Sequence, residues 1–155
     1  MLQQNNNANE VHDYEIILAN FRALYQALNR DTITAELIAS VYDNGVVFED
    51  CFHHISGLEE LTNYFDNLYE NVKSIRFDFH DYWLNDSSAM LNWTMTFVHP
   101  SLNSGREINV EGASKLIFHF GKIAHHKDYF DAGSLLYEHI PVLKSIIRYL
   151  KKRMV

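Results

Sequence analysis

Two short segments set carboxylates among aliphatic and aromatic neighbours: Val46-Val47-Phe48-Glu49-Asp50 and His125-His126-Lys127-Asp128-Tyr129-Phe130-Asp131. Apolar surroundings disfavour the charged form of a carboxylate, and a carboxyl group so placed suits acid or base work. Asp50, at the end of the first run, is a candidate general base for removing a proton beside a carbonyl. The competing assignment is a strand-end residue that accepts backbone hydrogen bonds. His126 and Asp128 are two apart, so on a strand they share a face, where a carboxylate can orient an imidazole. Whether that face is inward depends on the loop after Phe118, because a change of one residue swaps every side chain to the other side. The alternative for Asp128 is an exposed ion pair with Lys127 or Lys115. Tyr25 could polarise a ligand oxygen, or serve as core with its hydroxyl satisfied at the edge.

Other reactive types are less organised. The nine histidines include two adjacent pairs, but neighbours on a strand point to opposite faces and cannot chelate together. There is no His-x-His or His-Glu-x-x-His unit, so no metal site and no cofactor is expected. Cys51 is the single cysteine, which excludes an internal disulfide; as a nucleophile it would need His53 or His54 as its base.

The elements that must position these residues follow from periodicity. Residues 1–10 are polar and Asn-rich and read as a disordered tail. Val11, Tyr14, Leu18, Phe21, Tyr25 and Leu28 then form one helical stripe. A shorter helix is expected over Ile33–Tyr42, capped by Thr32 or Thr34 and closed by Asp43-Asn44-Gly45. After a strand at Val46–Asp50, Ser56-Gly57-Leu58-Glu59 predicts a capping box opening a third helix with Leu58, Leu61, Phe65, Leu68 and Val72 on one side. The period then changes to two. Strands are predicted from Ile75 to Leu84, Ala89 to His99, Arg106 to Phe120 and Ile123 to Phe130, with turns at Asn85–Ser88, Pro100–Gly105 and Gly121-Lys122. Trp93, Met95 and Phe97 alternate along one of these strands as a candidate pocket wall. The result is one α+β domain over residues 11–133. In it a strongly curved antiparallel sheet has three helices from the N-terminal half covering its concave face, leaving a conical cavity. Residues 134–155 form an extension whose helix, Pro141 to Met154, sets Val142, Leu143, Ile146, Ile147 and Leu150 opposite a basic side. Docking of this helix on the domain or on a second copy is the first expectation; an anionic membrane or acidic partner for residues 141–154 is the lesser one.

Composition narrows the partners. A net charge of −7 argues against nucleic acid, whose affinity comes from Lys and Arg on phosphates. Ten Phe, nine Tyr and two Trp suit a cavity lined by rings. No apolar run approaches the roughly 18 residues of a membrane span, and no signal-like start is seen, so a cytoplasmic location is expected.

The order of elements and three segments resemble the nuclear-transport-factor-2-like superfamily, a cystatin-like cone, and within it the SnoaL-like polyketide-cyclase and steroid-isomerase-like branch. The segments are Val41 through Asp50, Ile55-Ser56-Gly57-Leu58-Glu59-Glu60-Leu61, and Gly121-Lys122-Ile123 through Asp131. The resemblance implies several roles. Asp50 matches the strand-end proton shuttle of steroid-isomerase-like members, and Tyr25 looks like their oxyanion tyrosine. Ser114 falls where those members carry a protonated Asp, an uncharged donor in its place. Asp128 matches one carboxylate of the limonene-epoxide-hydrolase-like network, whose other positions fall near Leu91 and Trp93. Cyclase-like members pair a last-strand Asp with a His, which here are Asp128 and His126. The resemblance also implies a homodimer formed by the outer faces of the curved sheets.

The functional expectation is a domain that binds a small apolar molecule and acts as a cofactor-free isomerase or cyclase. Asp50 or Asp128 would be the base, Tyr25 the oxyanion donor and His126 the relay, with Trp93, Met95, Phe97 and Ser114 around the ligand. The alternative is a non-catalytic ligand-binding or protein-interaction module of the same fold.

Overall fold

The computed structural model describes residues 2–154, with side chains described from Asp13 onward. Helix α1 is Leu2–Ala27 and α2 is Ala35–Ala39. Strand β1, Tyr42–Glu49, and β2, His54–Ser56, precede α3, Leu58–Asn71. The meander follows as β3 (Ser74–Asn85), β4 (Ser88–Val98), β5 (Ile108–His119) and β6 (Lys122–Phe130). A short α4, Ala132–Leu135, and α5, Pro141–Arg153, close the chain. The strands form one curved sheet in the order β2-β1-β6-β5-β4-β3. Consecutive strands from β3 to β6 are antiparallel, as short links require, while β1 joins parallel to β6 and antiparallel to β2.

Helix α1 lies across the concave face because its stripe at three- and four-residue spacing is apolar: Leu18, Phe21, Tyr25 and Leu28 are all buried. Leu61, Phe65 and Tyr69 of α3 complete the cover, and from the sheet Ile75, Phe77 and Phe79 pack inward on alternate positions.

Several expectations change. The α1 backbone begins at Leu2 rather than Val11, so the segment read as a tail continues the helix; once the anchored turns are nucleated, propagation costs little per residue. The second helix is one short turn and Tyr42 belongs to β1. Its cap is Thr34, whose side chain accepts the Leu37 N–H. The capping box does not form: Ser56 stays in β2 opposite Val47, and Gly57 turns the chain at φ 94° with no side-chain cap. Only glycine takes that conformation without steric cost. Helix α5 leaves the body of the domain. Its contacts centre on the 3-10 turn Tyr137–His139, Lys151 pairs with Glu138 at 3.0 Å, and Val142, Ile146 and Leu150 stay exposed. Docking of this helix on its own domain is therefore not realised within one chain. No helix among the described residues is long and apolar enough to cross a membrane.

Register decides the site. In the β5–β6 pair Phe118 faces Ile123 whereas Ile117 faces His125, so Ala124 is an extra residue in β6. A bulge of this kind reverses the alternation beyond it. Ile123 is buried, and three residues later so is His126. Strict alternation would have turned His125 and Lys127 inward instead. Both face out, where Lys127 lies 2.9 Å from Glu49, which holds the Glu49 carboxyl below its ordinary range.

Candidate functional site

The open end of the cone holds a cavity of about 390 Å³, within the range of small-molecule sites. Aromatic rings make up about half of its wall, from Tyr25, Phe48 and Phe65 in the depth to Phe52 and Phe130 near Leu135. Asp50 and Asp128 both border it.

Asp50 follows the end of β1 and is tied down by its own loop. Its Oδ1 accepts the backbone N–H groups of Phe52 and His53, each at 2.7 Å. The His53 imidazole lies 3.0 Å from Oδ1 and 3.1 Å from Oδ2, and the Tyr64 hydroxyl donates to Oδ2 at 3.4 Å. Its side chain is only 5% exposed. Asp50 thus accepts backbone hydrogen bonds at the strand end, and it also borders the cavity.

Asp128 is held from one side. His126 Nε2 is 2.7 Å from its Oδ1, and Ser114 donates its hydroxyl to the same oxygen at 2.5 Å. The Trp93 indole N–H donates to Ser114 Oγ at 2.8 Å. Oδ2 takes no hydrogen bond from the described residues. Behind His126 the chain continues: Nδ1 lies 2.8 Å from the Tyr42 hydroxyl, which lies 3.1 Å from the Tyr25 hydroxyl.

Proton accounting gives this chain a direction. With His126 neutral and its Nε2–H donated to Asp128, Nδ1 must accept from Tyr42, and Tyr42 in turn accepts from Tyr25. The Tyr25 proton is then committed inside the wall. A second proton on His126 reverses the order, so that Nδ1–H donates to Tyr42, Tyr42 to Tyr25, and the Tyr25 O–H is released toward the cavity. A buried His thus couples a carboxylate at one point of the wall to a hydroxyl at another. Burial, reinforced by Tyr42 and by the charge of Asp128, raises the Tyr25 hydroxyl well above the usual tyrosine range. Burial does the same to Tyr42 and Tyr64, the latter helped by Asp50 and Asp128, and lifts Tyr69 to about 12. All four are held as neutral donors.

Of the residues singled out from sequence, Asp50, Asp128, Tyr25, Trp93 and Met95 border the cavity. His126 and Ser114 stand one layer behind, against Asp128. Phe97 does not reach the wall and packs with Trp93, Ile108 and Val110 in a second core cluster. Tyr42, Tyr64 and His53 were missed as site partners. Tyr42 and His126 are 84 positions apart, and no local pattern announces that pairing. Cys51 is exposed; partial desolvation and the carboxylates of Asp50, Asp128 and Asp131 raise its thiol, which works against a nucleophilic thiolate.

Trp93 is seated by a missing side chain. It lies opposite Gly112 on β5, where an added Cβ would stand 2.2 Å from the indole. Gly112→Ala is expected to push the ring off its Ser114 contact and cost about 1–3 kcal/mol, the range for overpacking. Denaturant melts and the Trp93 indole N–H resonance would read both effects; an unchanged melt with an unmoved resonance would contradict the packing described.

A six-stranded curved sheet with helices across its concave face and a cavity at the open end defines the nuclear-transport-factor-2-like, ketosteroid-isomerase-like class of α+β cones. Residues 21–126 match the SnoaL-like domain model, and the chain belongs to that family. Its fold is similar to a protein assigned as a SnoaL-like polyketide cyclase from Jannaschia sp. CCS1, with TM-score 0.70 and 10% identity over 83% of this chain and 92% of that one. It is similar to an LEH-like epoxide hydrolase of M. tuberculosis, with TM-score 0.66 and 14% identity over 88% and 96%. A protein with a ketosteroid isomerase-like protein fold from Catenulispora acidiphila DSM 44928, in complex with trimethylamine, aligns with TM-score 0.67 and 11% identity over 79% of this chain and 91% of that one. A search of curated protein sequences finds no match.

Proposed function

We propose that this chain binds a small, largely apolar molecule in the cone and acts on it as a cofactor-free isomerase or cyclase, with Asp128 as general base. The observation that carries this reading is the asymmetry of Asp128: one oxygen is fixed by His126 and Ser114, and the other is uncommitted on a side chain bordering an aromatic cavity. Such a carboxylate can take a proton from carbon beside a carbonyl and return it to another carbon, or leave an enolate to attack a second carbonyl. Tyr25 supplies the O–H for the developing oxyanion when its bond to Tyr42 is exchanged for one to the ligand. Asp50, its oxygens met by several donors, is better suited to fixed charge than to proton transfer.

A second reading, a non-catalytic binding module, is favoured by a different observation. The hydroxyls of Tyr25, Tyr42 and Ser114 already have internal partners, so the chain behind the wall is satisfied without substrate. The complex of the Catenulispora neighbour with trimethylamine supports small-molecule binding under both readings. Assembly as a homodimer is part of the proposal, with the outer sheet face as its surface; that face exposes Trp83, Ile117 and Tyr129.

Native mass spectrometry of freshly purified protein tests ligand and assembly together. A dimer retaining a discrete small-molecule adduct is expected, and the adduct names the substrate class. A bare monomer would overturn both the assembly and the occupied cavity.

A further inference from the structure

The cavity wall is charged with one sign. Among the described residues bordering it there are two carboxylates, Asp50 and Asp128, and no Lys or Arg. Two histidines, His53 and His99, are the groups bordering it that could add positive charge. His99 Nδ1 accepts the Ser101 N–H at 3.1 Å, which is the bond of a neutral ring. His53 donates to Asp50 and can balance at most that one carboxylate, and its side chain is 48% exposed and so open to water. The cations nearest in sequence are engaged elsewhere: Lys127 binds Glu49 on the outer face, and Lys122 donates to the Ala39 and Ser40 carbonyls.

Asp50 accepts the backbone N–H groups of Phe52 and His53, and Asp128 accepts the Ser114 hydroxyl, bonds of the kind an ionised carboxylate makes. Around them stand the faces and edges of Tyr64, Phe65, Phe77, Trp93 and Phe130. Aromatic faces carry negative quadrupole charge and attract cations, more strongly where water is displaced. The raised hydroxyls of Tyr25 and Tyr64, in part the work of these same carboxylates, report the same negative field. A neutral or anionic guest leaves that field uncompensated, since the desolvated carboxylates lose hydration and gain no counter-ion. A guest with an apolar body and one positive charge satisfies rings and carboxylates together.

We propose that the ligand of this cavity is a hydrophobic organic cation, an apolar molecule carrying one protonated amine or quaternary ammonium group, with Asp50 as its fixed counter-ion within an aromatic cage. This rests on the small-molecule reading above and gives the two carboxylates separate work: Asp50 holds charge, and Asp128 keeps an oxygen for proton transfer.

The test compares benzyltrimethylammonium, whose charge cannot titrate, with neopentylbenzene, its neutral isostere, against the full chain. The Trp93 indole N–H resonance reads binding, because Trp93 borders the cavity while the only other tryptophan, Trp83, is 57% exposed and serves as the internal reference. The cation is expected to bind at least tenfold tighter than the isostere. In the Asp50→Asn/Asp128→Asn double variant that preference is expected to fall below threefold, while neopentylbenzene binds as in the parent. If the double variant does not fold, Asp50→Asn alone, whose amide oxygen can still accept the Phe52 and His53 N–H groups, is expected to cut the preference at least threefold. Equal or tighter binding of the neutral isostere to the parent would overturn the cation inference and leave the apolar cavity standing. A preference that survives the double variant would also overturn it. If neither probe moves the Trp93 resonance, the small-molecule reading falls, and this inference with it.

Discussion

Asp128→Asn is expected to leave the fold within a few degrees of the parent in thermal melts and to reduce turnover by about 10²- to 10⁴-fold, the range that a positioned general base contributes. The two expectations come from the two halves of one side chain. The amide oxygen of Asn can still accept from His126 Nε2 and from Ser114, the bonds that Asp128 Oδ1 makes at 2.7 and 2.5 Å. The free position becomes an NH₂ group, which cannot take a proton from carbon. Turnover would be followed on the compound recovered from the native protein, as product formation with kcat and KM separated. A drop in kcat with KM nearly unchanged supports the base; full activity would remove Asp128 from the chemistry and leave the binding-module reading in possession of the cavity. His126→Gln sharpens the comparison, because an amide can donate to Asp128 but cannot gain the second proton that reverses the Tyr42–Tyr25 chain.

Phe21→Ala is expected to cost about 3–5 kcal/mol, the range for removing a fully buried aromatic ring. Phe21 is 1% exposed and sits at the meeting point of helix α1 and the site. Its ring centroid lies 4.7 Å from that of Tyr25, 5.3 Å from His126, 5.8 Å from Phe79 and 6.5 Å from Tyr42. Removing it opens a void beside a hydrogen-bond chain that relies on dense packing for its geometry. The loss is about a fifth or more of the stability of an ordinary domain, which lies near 5–15 kcal/mol, and corresponds to a fall of roughly 10 °C in the melting midpoint. Phe21→Leu, which refills much of the space, is expected to recover more than half of that loss. A melting midpoint within about 2 °C of the parent for Phe21→Ala would show that α1 does not clamp the site.

Much of this architecture is legible along the chain. The stripe Leu18, Phe21, Tyr25 and Leu28 is helical because its spacing allows one face to be buried, and the alternation Ile75, Phe77, Phe79 is a strand for the same reason at a period of two. The turn residues at Asn85–Ser88 and Gly121 mark the hairpins. Where the reading missed, tertiary contacts outweighed a local signal. Tyr42 scans as the end of a helix, yet the β6 edge pairs with β1 and takes it into the sheet. Ser56 and Glu59 spell a capping box, but pairing with Val47 holds Ser56 in β2.

Residue types and periodicity by themselves determined an α+β domain with a ring-lined conical cavity, and offered Asp50, Tyr25 and the His126–Asp128 pair as candidate site residues. They could not determine which way the pair faces. That was decided by one extra residue, Ala124, in the β5–β6 ladder. The side-chain period of a strand is two, so inserting one residue turns His126 and Asp128 inward and His125 and Lys127 out. Asp128 meets Ser114 directly across the β5–β6 hairpin, whereas His126 and Tyr42 are 84 positions apart and come together only because β1 pairs with β6.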